Sequence, residues 1–191
     1  MRHLTAIAKM YASSSFVAGH SLWLIPKEPA RSNIQNVIDH HSSEQKTANF
    51  RAHVTLIAGL EPEGGEAEVL AKAESLALKL GPISARVERT ACMDLYFKSV
   101  FALLERDPAL LDAHKVAREA FGQDPSDGSD FMPHASLLYG DLPMSTREAI
   151  RQEAGVGLVD PGIILEFESI QVWSTIGVVA EWKPLATLPI G

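Results

Sequence analysis

The chain predicts an α+β fold of two lobes: duplicated β-α-β-α-β units whose two antiparallel sheets line a central cleft. Three observations predict it. First, the stretch Phe50-Arg-Ala-His53-Val-Thr55-Leu-Ile-Ala-Gly59 returns 81 residues later as Phe131-Met-Pro-His134-Ala-Ser136-Leu-Leu-Tyr139-Gly140, and an internal repeat is an architectural signal. Second, each copy runs from a histidine through an apolar stretch to a glycine, the pattern of a buried strand ending in a turn. Third, strand-like and helix-like periodicities alternate so that each motif strand lies between two helices.

The elements follow in order. His20-Ser-Leu-Trp23-Leu-Ile25 reads as a first strand closed by Pro26 and Pro29. Residues 32–43 suit a helix, with Ser32 as cap and Ile34, Val37 and Ile38 on one face. The first motif strand spans 52–60, and Pro62 with Gly64-Gly65 makes a loop. Residues 66–80 form the clearest helix: Val69, Leu70, Ala73, Leu76, Ala77 and Leu80 recur at helical spacing, and Gly81-Pro82 stops it. Two strands are expected at 83–91 and 95–104, the second because Tyr96-Phe97-Lys98-Ser99-Val100-Phe101 mixes aromatic, β-branched and polar residues. A helix at 108–121 opens on Pro108, a position that tolerates proline. Residues 122–130, rich in Asp, Ser, Gly and Pro, read as a mobile surface loop and a candidate lid before the second motif. A helix at 145–154 and strands at 163–174 and 178–184 complete the chain.

At 191 residues the chain is long enough for one full core, expected as a single two-lobed domain over 20–191. The first 27 residues carry no acid but do carry Arg2, Lys9, Lys27 and a Ser13-Ser14-Ser15 run, a composition like that of a transit peptide. Residues 1–19 are expected to be a disordered tail. A net charge of −7 argues against long nucleic acid as a partner, while leaving room for a local anion site. No apolar stretch is long enough to cross a bilayer. The single cysteine, Cys92, excludes an internal disulfide and a cysteine-rich zinc site. An intracellular, cytoplasmic monomer is the resulting expectation.

The tripeptide His-x-[Ser/Thr] is weak by itself, since His3, His40 and His41 satisfy it too. Only the copies at 53 and 134 continue into an apolar strand. Residues i and i+2 share a strand face, so His53 projects with Thr55 and His134 with Ser136. Val54 and Leu56, or Ala135 and Leu137, face the opposite way into a core. Two such strands could hold ordinary core histidines; matched in sequence, they suggest two half-sites around one substrate. Adjacent residues on a helix do not share a face, so His40-His41 reads as a solvated pair and no metal centre is expected.

Paired histidine–hydroxyl motifs on duplicated strands resemble the two-histidine (2H) phosphoesterase superfamily, and within it the small plant and fungal cyclic phosphodiesterases. The resemblance runs from about Ser21 to Trp182. It is carried by Ser21-Leu-Trp23-Leu-Ile-Pro26, Ala52-His53-Val-Thr55, Ser99-Val-Phe-Ala-Leu-Leu104 and Met132-Pro-His134-Ala-Ser136-Leu-Leu-Tyr139. It implies a LigT-like bilobal fold and a hydrolase, free of metals and cofactors, that opens cyclic phosphates on ribose. The implied substrates are small: ADP-ribose 1″,2″-cyclic phosphate, a by-product of tRNA splicing, and nucleoside 2′,3′-cyclic phosphates, opened to 2′-phosphates. By the same resemblance His53 and His134 are the catalytic pair, Thr55 and Ser136 hold the phosphate, and Trp23, Phe97 and Tyr139 surround the nucleotide. Plant members carry disulfides, which Cys92 alone cannot supply. Each aromatic has a second reading as a packing residue. Strict alternation puts Tyr139 on the face opposite His134, so it reaches the cleft only if the strand ends or bends there.

These residue types suit the chemistry. A neutral imidazole can take a proton from water while an imidazolium gives one to the leaving oxygen, and a pKa near ~6.5 makes both forms accessible at neutral pH. Hydroxyls can donate to phosphate oxygens where a carboxylate could not. Two further readings fit the same residues: a superfamily enzyme acting on RNA ends, such as a 2′-phosphodiesterase or ligase-like protein, and a non-catalytic nucleotide-binding module.

Overall fold

In the computed structural model, residues 16–125, 131–159 and 162–191 are described. The first unit comprises β2 (His20–Pro26), α1 (Ala30–Gln45), β3 (Val54–Leu60), α2 (Gly65–Ala77) and β4 (Ile83–Cys92). The second repeats that order with β5 (Val100–Leu104), α3 (Pro108–Ala120), β6 (His134–Leu138), α4 (Met144–Gly155) and β7 (Ile164–Ser174). Outside the units stand β1 (Phe16–Val17), β8 (Gly177–Val178) and β9 (Lys183–Pro189).

The two units exchange their last strands. β7 of the second unit pairs with β2 of the first, and β4 of the first pairs with β5 of the second, all antiparallel. The result is two sheets, β3-β2-β7 and β6-β5-β4, rather than two self-contained halves. They join in two places: β4 with the start of β7, and β3 with β6 through the single pair Val54–Ala135. β9 extends the first sheet along the free edge of β7. The helices cross over as well, since α1 packs on β6 and α3 on β3. Among the described residues no helix is long and apolar enough to cross a membrane.

Alternation along the motif strands is as expected. Val54, Leu56, Ala135 and Leu137 are buried in one continuous core with Ile34, Ile38, Val69 and Leu110. Fully burying an aliphatic side chain of this kind is worth roughly 1.5–3 kcal/mol, enough to fix the register, because a one-residue slip would turn all four away from the core.

Boundaries differ where local chemistry outweighs pattern. α1 starts at Ala30, two residues before the expected cap Ser32; the Glu28 carboxylate accepts from the Ser32 N–H at 3.1 Å and takes over the capping. α3 is capped by Asp107, which accepts from the Ala109 N–H. Gly59 does not end β3. It sits at φ 69° inside the strand, where two steps on β2 (His20 to Leu22) face three on β3 (Leu60 to Ile57), a bulge that favours glycine. Tyr96–Lys98, expected in a strand, form a 3-10 turn, and β5 begins only at Val100. The final strand expected at 178–184 is instead β8, a short 3-10 turn at Val179–Glu181, and β9. Phe16–Val17, inside the expected tail, pair with Gly177–Val178. Residues 1–15 of that tail, and residues 126–130 of the loop expected as a lid, lie outside the described residues.

The turn at 96–98 has a specific anchor. Arg147 of α4 is 2 % exposed and donates from Nε to the Leu142 carbonyl at 2.7 Å and from Nη1 to the Met93 carbonyl. Its ion pair with Asp94 is at 3.1 Å, but the Asp94 side chain is largely in water and adds little. Replacing Arg147 by Met keeps the packing and orphans both carbonyls. The Arg147→Met variant is expected to lose about 2–3 kcal/mol of unfolding free energy in urea titrations; an unchanged midpoint would show that the turn needs no such anchor.

Candidate active site

β3 and β6 meet at Val54–Ala135, and each of these residues directly follows a motif histidine. His53 and His134 therefore enter one cavity from opposite sheets. The cavity measures about 380 Å³, and His53, Thr55, His134 and Ser136 all line it, as do Trp23, Phe97 and Tyr139. All seven residues singled out in the sequence are thus brought together.

The two imidazoles are held alike. His53 Nδ1 lies 2.6 Å from the Arg51 carbonyl, and His134 Nδ1 lies 2.8 Å from the Met132 carbonyl, each two residues back along the chain. A carbonyl only accepts, so Nδ1 carries the proton in both rings, and the neutral ring keeps its lone pair on Nε2. Burial pushes both pKa values from 6.5 down to about 4, although the backbone hydrogen bonds oppose it; His134 lowers His53 a little further, and Lys98 does the same to His134. Both rings are consequently neutral at pH 7 in the ligand-free protein, not poised between forms as an unperturbed value would have them.

The surroundings of the rings differ. Trp23 lies opposite Thr55 in the β2–β3 register. It stacks on His53 with centroids 3.6 Å apart and planes 9° apart, while Trp173 covers its other face at 4.2 Å. With both faces taken and 2 % exposure, Trp23 cannot stack on a base: it offers the cavity an edge and His53 a platform. In the second unit Phe101 lies opposite Ser136 and meets His134 edge-on at 5.4 Å. Phe97 is half-buried, stacked on Trp182 at 5.7 Å. Tyr139 reaches the cavity because β6 ends at Leu138; its ring stacks on Phe50 at 3.7 Å. Burial raises the Tyr139 pKa, with neighbouring Ser136 opposing. The Ser136 hydroxyl donates to the Phe97 carbonyl at 3.3 Å, a long bond that an anion could displace.

Several lining residues escaped the sequence reading. Lys98 is the one Lys or Arg on the cavity wall among the described residues; its sequence context suits a sheet, and it lies instead on the 3-10 turn. His114 of α3 lines the wall, its Nδ1–H donating to the Leu56 carbonyl at 2.7 Å and its ring stacked on Phe131 at 3.8 Å. Nothing in the local sequence marked it. Trp182 completes the aromatic wall, and its isolation between Glu181 and Lys183 was the available signal. Among the described residues no Asp, Glu or Cys lines this cavity. A hard cation would thus find no carboxylate there, and the wall offers proton carriers and hydrogen-bond donors instead.

The family model described as cyclic phosphodiesterase-like protein matches residues 18–190. The chain is 26 % identical over 135 residues to a protein of Arabidopsis thaliana named cyclic phosphodiesterase, covering 71 % of this chain and 72 % of that one. It is 27 % identical over 206 residues to a Neurospora crassa protein named 2′,3′-cyclic-nucleotide 3′-phosphodiesterase, covering 88 % and 97 %. Among solved structures, a Thermus thermophilus protein superposes with a TM-score of 0.56 at 18 % identity, over 90 % of this chain and 97 % of that one, a likeness of fold. With the family match spanning nearly the whole chain, the protein belongs to the cyclic phosphodiesterase-like family.

Proposed function

We propose that this protein hydrolyses cyclic phosphates on ribose without a metal, using His53 and His134 as an acid–base pair. The observation that carries the reading is the matched pair of imidazoles, each with Nδ1 bonded to its own backbone, lining one cavity with Thr55 and Ser136. The names of the Arabidopsis and Neurospora relatives support the reaction class.

One neutral imidazole takes a proton from water as the water oxygen bonds to phosphorus. The P–O3′ bond of a nucleoside 2′,3′-cyclic phosphate breaks, and the second imidazole, as imidazolium, protonates O3′ to leave a 2′-phosphate. Opening ADP-ribose 1″,2″-cyclic phosphate follows the same steps at P–O2″ and leaves ADP-ribose 1″-phosphate. Thr55 and Ser136 donate to the non-bridging oxygens, and Lys98 balances the charge that grows there. Phe97 and Tyr139, with Trp182, form the nucleotide wall, while Trp23 orients His53.

A second groove of about 800 Å³ shares Trp23 and Trp182 with the cavity; Arg51, Gln35, Glu28, Asp39 and Arg31 line it, with Arg31 ion-paired to Glu28 and Glu168. Its extent suits ADP-ribose cyclic phosphate, which is longer than a mononucleotide; on this reading the protein clears that by-product of tRNA splicing. The direct test is incubation with ADP-ribose cyclic phosphate and the four nucleoside 2′,3′-cyclic phosphates, locating the phosphate of each product by NMR. Absence of turnover on all five would end the reading.

His53→Ala and His134→Ala are each expected to lower kcat by at least 10²–10⁴-fold, the usual worth of general acid–base catalysis, with circular dichroism unchanged. Near-wild-type kcat in either variant would remove the mechanism. Turnover should persist in excess chelator; its loss with circular dichroism and Tm unchanged would point to a metal hydrolase.

The pH profile carries a sign. Both rings titrate at about 4 in the free protein, and catalysis needs one proton on the pair. The fraction of free protein in that form falls as pH rises above that value, so kcat/KM should peak at acid pH. A bound phosphodiester adds one negative charge beside the rings, favours the imidazolium and raises their pKa values. The bell in kcat is therefore expected at higher pH than the bell in kcat/KM. Coincident or reversed bells would show that bound substrate does not supply the charge.

A further inference from the structure

His40 and His41, which pattern alone makes a solvated pair on α1, have different environments. The His40 side chain is 52 % exposed and its Nε2 lies 3.5 Å from Glu153 Oε1 of α4 and 3.7 Å from Glu44 Oε2. His41 is 2 % exposed. Its Nδ1 is buried without a hydrogen-bond partner, an arrangement costly to keep. The two rings meet edge-on at 4.8 Å. One ligand atom from each of His40, His41 and Glu153 falls within 4.8 Å of the others.

We propose that His40, His41 and Glu153 form a three-ligand site for a zinc-class divalent cation that ties α1 to α4. None of the three lines the cavity of the imidazole pair, so the site is separate from the chemistry proposed there. Two imidazoles and a carboxylate are a donor set for zinc rather than for magnesium or calcium, which take oxygen. Bond lengths of ~2.0–2.2 Å in a tetrahedron put donor atoms about 3.3 Å apart, so the cluster must tighten by about 1.5 Å from its widest separation. His40 and Glu153, whose side chains are 52 % and 63 % exposed, can swing that far, while buried His41 serves as the fixed post. Water or the Glu44 carboxylate completes the fourth position. An ion pair of protonated His40 with Glu44 and Glu153 would account for the exposed ring, but not for the orphaned nitrogen of the buried one.

The test uses the full chain carrying His53→Ala and His134→Ala, so that zinc cannot be counted at the cavity imidazoles. Calorimetric titration with Zn²⁺ is expected to show one equivalent bound. Adding His40→Ala or Glu153→Gln, both at exposed positions that leave the fold intact, should weaken binding at least tenfold. Co²⁺ should give the intense visible bands of a four-coordinate centre, and Mg²⁺ should neither bind nor raise Tm. No Zn²⁺ uptake, or uptake of equal affinity in both added variants, would overturn the proposal.

Discussion

Val54 and Ala135 form the single backbone pair through which β3 reaches β6, and the arrangement of the site depends on it. Each is the residue after a motif histidine, so the point where the two sheets touch also sets how the imidazoles face each other. A crossing that narrow could drift if it stood alone. It is held by the exchange of β4 and β7 between units, which closes the two sheets into one hydrogen-bonded circuit. The helices reinforce it, since each unit places a helix on the other unit's motif strand. A site divided between two halves thereby acquires the stiffness of one core.

Desolvation is the second consequence of the crossing. Rings brought to the junction of two sheets lose water, and both imidazoles respond by staying neutral. The backbone bonds at Nδ1 fix the tautomer and the ring plane together, leaving the lone pair on Nε2. Duplication alone would make the two rings equivalent, yet the proposed hydrolysis needs one base and one acid. The surroundings supply the difference: a flat indole beneath His53, and the edge of Phe101 with the charge of Lys98 near His134.

Much of this was legible in the residues. The ten-residue repeat located both histidines, both hydroxyls and the alternation that turns them away from the core, because those properties are local and periodic. The helices were readable for the same reason, to within two or three residues at their ends. Strand exchange was not, since pairing β7 with β2 joins residues about 150 positions apart, and no local pattern encodes which edge a strand will find. Tyr96-Phe97-Lys98 has the composition of a sheet but forms a 3-10 turn, and just before it Arg147 of a distant helix holds the Met93 carbonyl, a contact no local pattern encodes. His114 and Phe101 reach the site only through tertiary packing. Trp23 was found by its position, although its faces prove to be spoken for by His53 and Trp173.

The aromatic residues divide by how many faces remain open. Trp23 is enclosed on both sides and Tyr139 is buried with one face against Phe50. Both are therefore parts of the wall's frame, and changing them would disturb the histidine or the strand end before it disturbed a ligand. Phe97 and Trp182 are half-buried and stack loosely on each other at 5.7 Å. A ligand ring can compete for a contact of that length, where it could not for one at 3.6 Å. They also sit on 3-10 turns or just beyond one rather than on strands, so they can shift without breaking a ladder of hydrogen bonds. On the proposed reading, selectivity for the group attached to the ribose accordingly resides in this pair and phosphate chemistry in the strands.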